Sequence, residues 1–289
     1  MSRWLVTGAA GQLGSDVVDL LHAYGEQVVA LTSAELDITD RAAVGDAVAD
    51  ARPGIVVNCA AFTDVDRAET EEDRAYDVNA HGAAIVAEVS APTARVVHVS
   101  TDYVFTGDAS APYPESQRPH PRTAYGRSKA AGEQAVLTSG AHAYVVRTAW
   151  LYGVAGNNFV RTIARLGRER ETIDVVDDQV GAPTWSLHLA RGLVALAVSD
   201  APPGIWHCTN DGEASWYVFA RAVFAELGLD PARVQPTTTE AFPRPAPRPA
   251  YSVLATDKWR QAELPTMSHW RDALHEAFAT LGEELTDPL

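Results

Sequence analysis

Arg3-Trp-Leu-Val-Thr7, followed at once by Gly8-Ala-Ala-Gly11-Gln-Leu-Gly14, decides the fold. The apolar run has the length of a short buried strand, the three glycines make a tight turn, and Ser15–Tyr24 carries a helical pattern. Glycines let a backbone approach a pyrophosphate closely, and the free N–H groups and dipole at a helix start favour its negative charge. A plain tight turn would use the same residues. Placement at the first strand-to-helix turn of the chain favours dinucleotide binding, with Gly8, Gly11, Gln12, Leu13 and Gly14 as the cradle.

The rhythm continues. Gln27-Val-Val-Ala-Leu31 reads as a second strand, and Arg41–Ala51 as a helix that Thr39 or Asp40 would cap. Thr32-Ser33 stands where an NAD-binding unit usually places an acid for the ribose hydroxyls. Nothing there repels a 2′-phosphate and no adjacent arginine grips one, so NADPH and NADH both remain, with NADPH ahead. Ile55–Ala61 reads as a third strand whose small residues leave room for a ligand at its carboxyl end. Asn79 lies inside an apolar helix ending at Ser90, either as a satisfied packing amide or as a donor to a water leading towards Lys129. Arg95–Ser100 is a fourth strand, ending in Thr101-Asp102, and Tyr144-Val-Val-Arg-Thr148 a fifth. Between them runs the proline-rich loop Asp108–Arg122, long enough for a lid. The order is that of a doubly wound parallel α/β sheet, a Rossmann-type fold.

Thr123-Ala-Tyr-Gly-Arg-Ser-Lys129 puts Tyr125 and Lys129 four apart, on one helix face. A phenol loses its proton near pH ~10, and an ammonium within reach lowers that by roughly one to three units, which would suit an acid/base at neutral pH. Such a pair also arises by chance on a surface helix. Lys129 and Lys258 are the only lysines in a chain that otherwise uses arginine, and a compact ammonium suits a shared site better than a planar guanidinium.

Composition narrows the partners. A net charge of −15 argues against nucleic acid or an anionic membrane. No run of about 18 apolar residues appears, so no membrane span is expected. The N-terminus shows no signal pattern, so cytoplasm is the expected address. Cys59 and Cys208 offer neither a CxxC nor a zinc spacing, and Cys59 reads as a reduced core residue.

Gly8–Gly14, Asn58–Glu69, Ser100-Thr-Asp-Tyr-Val-Phe105, Tyr125–Glu133, Arg147-Thr-Ala-Trp-Leu-Tyr-Gly153, Asp178–Thr184 and Ser215-Trp-Tyr-Val-Phe-Ala220 together resemble the extended short-chain dehydrogenase/reductases. More narrowly they resemble the dTDP-4-dehydrorhamnose reductase family, in order over nearly the whole chain. The resemblance implies NAD(P)H-dependent reduction of the C4 ketone of a dTDP-4-keto-6-deoxy sugar, with dTDP-L-rhamnose as product. It implies a triad in which Thr101 orients the ketone, Tyr125 gives the proton and Lys129 holds the nicotinamide ribose. Asp37, Ile38, Ala60, Ala61, Phe62 and Val99 would complete the cofactor site, and Thr101, Asp102 and Trp150 would touch the sugar. Some relatives bind Mg2+ through carboxylates, one on the first helix where Asp16 stands; Asp16 has no evident partners, and no metal is assigned. Two alternatives remain: a 4-ketoreductase of another dTDP-6-deoxyhexose from an antibiotic-sugar pathway, and a non-catalytic cofactor-binding subunit like that of methionine adenosyltransferase.

From residue 151 the rhythm breaks, which suggests a division into a cofactor domain, 1–150, and a substrate lobe, 151–289, with the helix near 185–199 packing back on the first. Asn158 would meet a phosphate or cap a helix. In the proline-rich 240–250 segment, Arg248 is the candidate to clamp the diphosphate through its planar fork. Residues 267–281 form an amphipathic closing helix. The expected assembly is a monomer or homodimer.

Overall fold

The computed structural model describes residues 3–286. Its framework is a set of parallel strands, β1 (Arg3–Thr7), β2 (Gln27–Leu31), β3 (Ile55–Asn58), β4 (Arg95–Thr101) and β5 (His142–Thr148). A sixth strand, Gly204–His207, pairs with the outer edge of β5, giving the order Gly204–His207, β5, β4, β3, β1, β2. Thr7 is level with Leu31 on one side and Asn58 on the other. The winding direction reverses between β1 and β3, which opens a crevice at their carboxyl ends where ligands of such sheets sit.

A parallel sheet must be covered on both faces, and the strand period of two divides its apolar side chains between them. Trp4 and Val6 face α1 (Gln12–Ala23) and the Ser186–Val198 helix, meeting Val17, Leu21, Leu189 and Leu193. Leu5 points the other way, into a layer with α2 (Arg41–Ala51) and the Ala83–Ser90 helix through Val44, Val56 and Ile85. Asp40 caps α2 by accepting from the amides of Ala42 and Ala43 at 2.9 and 3.1 Å. Trp206 and Trp259 join the first layer as well, so several parts of the chain beyond residue 151 return to the sheet.

A second core gathers Tyr152, Val160, Phe219, Phe224, Trp270 and Leu274. It is built from the helices Phe159–Glu169, Trp216–Glu226 and Trp270–Thr286 and from a parallel pair, Ile173–Val176 with Val234–Thr237. The loop 108–122, expected as a lid, is pinned at its middle. Tyr113 is buried and stacks on Phe105 at 4.3 Å, and its hydroxyl accepts from the amides of Gly107, Asp108 and Ala109 at 3.0–3.1 Å. The His120 amide ties the far limb to the short turn Asp102–Val104 after β4, donating to Val104 O at 2.8 Å. Among the described residues no helix is long and apolar enough to cross a membrane.

Candidate active site

The glycine turn is shaped by close approaches. Gly8 has a φ of +66°, and a Cβ there would lie 2.7 Å from the amide nitrogen of Ala60; one on Gly14 would lie 2.2 Å from Gly8 O. β1, the turn and the end of β3 are thereby drawn against each other. α1 begins at Gln12 with Gly11 at its cap position, and the cap has no side-chain hydrogen bond and no carboxylate in the first turn. A helix start left with its own N–H groups is chemically matched to a pyrophosphate. The donor set therefore fits a dinucleotide, with Gly11, Gln12 and Leu13 as the backbone that would hold it.

The helix Ala124–Thr138 is treated in the opposite way. Its N-terminus is closed by Thr123 Oγ1, which accepts from Gly126 N at 2.9 Å, and by Glu69 Oε1, which accepts from Ala124 N at 2.8 Å. This fixes Tyr125 one residue inside the helix and Lys129 one turn later, both buried. Lys129 Nζ donates to Val99 O at 2.7 Å. Tyr125 lies beside Thr101, whose hydroxyl lowers the pKa of the phenol, and its ring meets Tyr103 edge-on at 5.6 Å. Thr101 Oγ1 also lies 3.0 Å from Asp102 Oδ1. The three side chains nominated for chemistry thus meet at the carboxyl end of β4.

The electrostatics differ from the sequence expectation in one respect. Burial pushes the Tyr125 phenol up to about 12, with the Thr101 hydrogen bond lowering it and the Asp102 carboxylate raising it; Lys129 is not among the causes. Lys129 is itself pushed down to about 8, chiefly by burial, with the Glu133 charge opposing. The pair therefore does not make a phenolate. It holds a protonated phenol beside a cation, which is the charge state a proton donor requires. Burial also raises Asp102 to about 6, against hydrogen bonds from Ser252 and Thr101.

Residues 2–282 match the family model described as RmlD substrate binding domain. The chain belongs to this family. It is 52% identical over 278 residues to a probable dTDP-4,6-dihydroxy-2-methyloxan-3-one 4-ketoreductase of Streptomyces antibioticus, covering 96% of this chain and 94% of that one. A dTDP-4-dehydrorhamnose reductase of Streptomyces griseus is 50% identical over 285 residues, with coverage of 96% and 94%. Among solved structures, dTDP-4-dehydrorhamnose reductase of Bacillus anthracis in complex with NADP superposes with a TM-score of 0.93 at 40% identity, covering 96% and 99% of the two chains.

In this RmlD-type chain the remaining nominated residues fall into two groups. Ala60, Ala61 and Phe62 follow β3 directly and border the crevice, and Asn79 fixes their path. Its Oδ1 accepts from Phe62 N at 2.8 Å, and its Nδ2 donates to Phe62 O and Ser128 Oγ at 3.0 Å each. Asn79 sits in the π-helical segment Asp77–Gly82, and its own carbonyl presses so near Gly132 that a Cβ there would lie 2.0 Å away. It is a satisfied packing amide that locks the Phe62 loop to the Tyr125 helix. Trp150 reaches its place through a left-handed backbone, φ +48°, and lies flat on Trp216 with ring centroids 3.4 Å apart. The indole edge occupies the space a side chain at Gly181 would need, 2.3 Å from its Cβ position.

Three nominated residues are engaged within the protein. Asn158 caps the Phe159 helix, accepting from Arg161 N at 3.1 Å while donating to Gly153 O at 2.8 Å. Arg248 pairs with Asp66 at 2.7 Å and donates to Ala246 O at 3.0 Å, so its fork is occupied by a carboxylate. Asp37 accepts from the amide and hydroxyl of Thr39 at 2.9 and 2.7 Å, and Ile38 is buried behind it. Burial raises the Asp16 carboxyl above its ordinary value, and among the described residues no three His, Cys, Asp or Glu side chains gather as a metal site.

Sequence reasoning passed over Glu133, Arg147 and Ser100, which form a buried unit beneath the site. Arg147 Nε and Nη2 donate to the two Glu133 oxygens at 2.8 and 2.7 Å, and Ser100 Oγ donates to Oε1 at 2.6 Å. Glu133 lies four residues beyond Lys129 on the same helix, so helical spacing would have found it. Trp216 was visible within a quoted motif but carried no role until Trp150 was seen stacked on it.

Proposed function

We propose that this protein reduces the C4 ketone of a dTDP-linked 4-keto-6-deoxyhexose with NAD(P)H, with dTDP-L-rhamnose as the product. The observation that carries this reading is the meeting of Thr101, at the carboxyl end of β4, with the buried Tyr125, while Lys129 one turn further along is buried and donates to Val99 O of the same strand. When bound, the reduced nicotinamide supplies the hydride. Thr101 orients the ketone oxygen by its hydroxyl, and Tyr125, whose proton is retained well above neutral pH, donates it to the developing alkoxide. Lys129 holds the cofactor ribose as a cation. Trp150, stacked rigidly on Trp216, forms the sugar-facing wall, and the core around Phe219 and Trp270 is the substrate lobe.

The two relatives from Streptomyces carry names of dTDP-sugar reductases, which supports a thymidine-linked substrate. The resemblance to the 4-ketoreductase favours a second reading on the same triad, with another dTDP-6-deoxyhexose seated differently. Intact Thr101, Tyr125 and Lys129 speak against a non-catalytic subunit. The free thiols Cys59 and Cys208 suit a reducing compartment such as the cytoplasm.

The test is NADH and NADPH oxidation with dTDP-4-keto-6-deoxy sugars against their UDP and GDP counterparts, with product configuration read by NMR. Oxidation confined to the dTDP series and a rhamno product are expected. Turnover only on UDP- or GDP-sugars would overturn the substrate assignment, and a different C4 configuration would favour the second reading.

A further inference from the structure

The end of β2 holds a feature that the linear sequence conceals. Thr32 donates twice to one oxygen of Glu35, from its amide at 2.9 Å and its hydroxyl at 2.8 Å. The turn that allows this is closed by Glu35 N and Leu36 N donating to Thr32 O at 3.1 and 2.9 Å. A carboxylate three residues downstream is thus folded back onto the strand end. The same two hydrogen bonds hold Glu35 below the ordinary carboxylate range, so it is an anion at neutral pH. The strand end is tied to the glycine turn by Ala9 N donating to Leu31 O at 3.1 Å.

In a doubly wound sheet, this strand end faces the adenosine ribose of a dinucleotide seated on the first turn, and an acid there pairs with the ribose hydroxyls. We propose that Glu35 sets the cofactor preference of this protein, its docked carboxylate favouring a free 2′-hydroxyl and opposing a 2′-phosphate. The inference rests on the reading of the glycine turn as an NAD(P)H site. It changes the weighting that Thr32-Ser33 alone suggested, because the acid absent at those positions is supplied by the turn. No basic side chain occurs between Gln27 and Asp40, and the flanking arginines are engaged elsewhere. Arg3 bonds Gln27 and Ala51 O, and Arg41 pairs with Glu88. A carboxylate some 6 Å from a nearly doubly charged phosphate, in a water-like dielectric, corresponds to roughly a tenfold loss of affinity.

The experiment measures dissociation constants of NADH and NADPH without sugar, by energy transfer from protein tryptophan to the reduced nicotinamide. Wild type is compared with Glu35→Gln and Glu35→Lys at this exposed position. NADPH is expected to tighten about tenfold in Glu35→Gln and further in Glu35→Lys, with NADH changing less than about threefold in the Gln variant. An NADPH constant that stays flat across the series, or equal shifts for both cofactors, would overturn the inference and leave the reductase reading standing. Failure of wild type to bind either cofactor would overturn both.

Discussion

Removing the Glu133 carboxylate strands a guanidinium in the middle of the protein. Arg147 has no exposed surface and Glu133 almost none, and the pair is held by two hydrogen bonds at 2.7–2.8 Å. In Glu133→Ala, the contacts left to Arg147 are His207 Nε2 at 3.4 Å and the face of Phe105 at 4.8 Å. His207 cannot take over, because burial and the Arg147 charge push its pKa down to about 3 and keep it neutral. Leaving one member of a buried ion pair uncompensated costs about 3–5 kcal/mol, a large share of the ~5–15 kcal/mol that keeps a typical domain folded. Urea unfolding followed by tryptophan fluorescence should show a lower midpoint for Glu133→Ala. The double variant Glu133→Leu/Arg147→Met should recover most of the loss, since an apolar pair of similar volume replaces a buried ion pair at little cost. A single variant within about 1 kcal/mol of wild type, or a double variant no better than the single, would refute the reasoning. The same carboxylate supports the charge of Lys129, so its loss also moves that ammonium further down.

Further outcomes follow from the same geometry. Lys129 is pushed down from 10.5 to about 8, so the burial cost of its charge is fully present below pH 8 and is relieved as pH rises towards 10.5. The stability of Lys129→Met relative to wild type, from denaturation at several pH values, should therefore be greatest near neutrality and shrink by a few kcal/mol in alkali; a difference constant with pH would contradict this. Gly181→Ala places a methyl 2.3 Å from the Trp150 indole, which must leave its stack on Trp216. Overpacking of about 1–3 kcal/mol is expected, with altered tryptophan fluorescence and a raised KM for the sugar but little change for the cofactor. Asn79→Ala leaves the Phe62 amide and carbonyl without their side-chain partner, and a loss of about 2–4 kcal/mol should appear in thermal unfolding.

The fold was legible because β1 to β5 are each announced locally, whereas the sixth strand, Gly204–His207, lies in the part read as the substrate lobe and was not seen. Trp4, Val6 and Leu5 sort themselves to two faces by period alone, and the glycine spacing marks the crevice. The placement of the three nominated side chains was legible for a related reason: Tyr125 and Lys129 share one helix, and Thr101 ends a strand that must lie beside it. Residues whose role depends on distant partners were not. Arg248 looked like a free cation until Asp66, far earlier in the chain, was found paired with it. Glu35 drew no reading at all, because only the turn after β2 brings it back to Thr32. Asn158 was open between cap and ligand, and the amide of Arg161 decided for the cap. The proline-rich loop 108–122 was read from its length as long enough for a lid, while its anchor, the Tyr113 hydroxyl, depends on three amides converging in space.

The central claim is that Tyr125 delivers a proton to a sugar ketone. Tyr125→Phe removes only the hydroxyl and keeps the ring that meets Tyr103 edge-on. Steady-state reduction of dTDP-4-dehydro-L-rhamnose, measured beside NADPH and NADH dissociation constants, tests that claim directly. Turnover falling by roughly 10²–10⁴-fold with cofactor binding intact is the predicted result; near wild-type turnover in the phenylalanine variant would contradict the account.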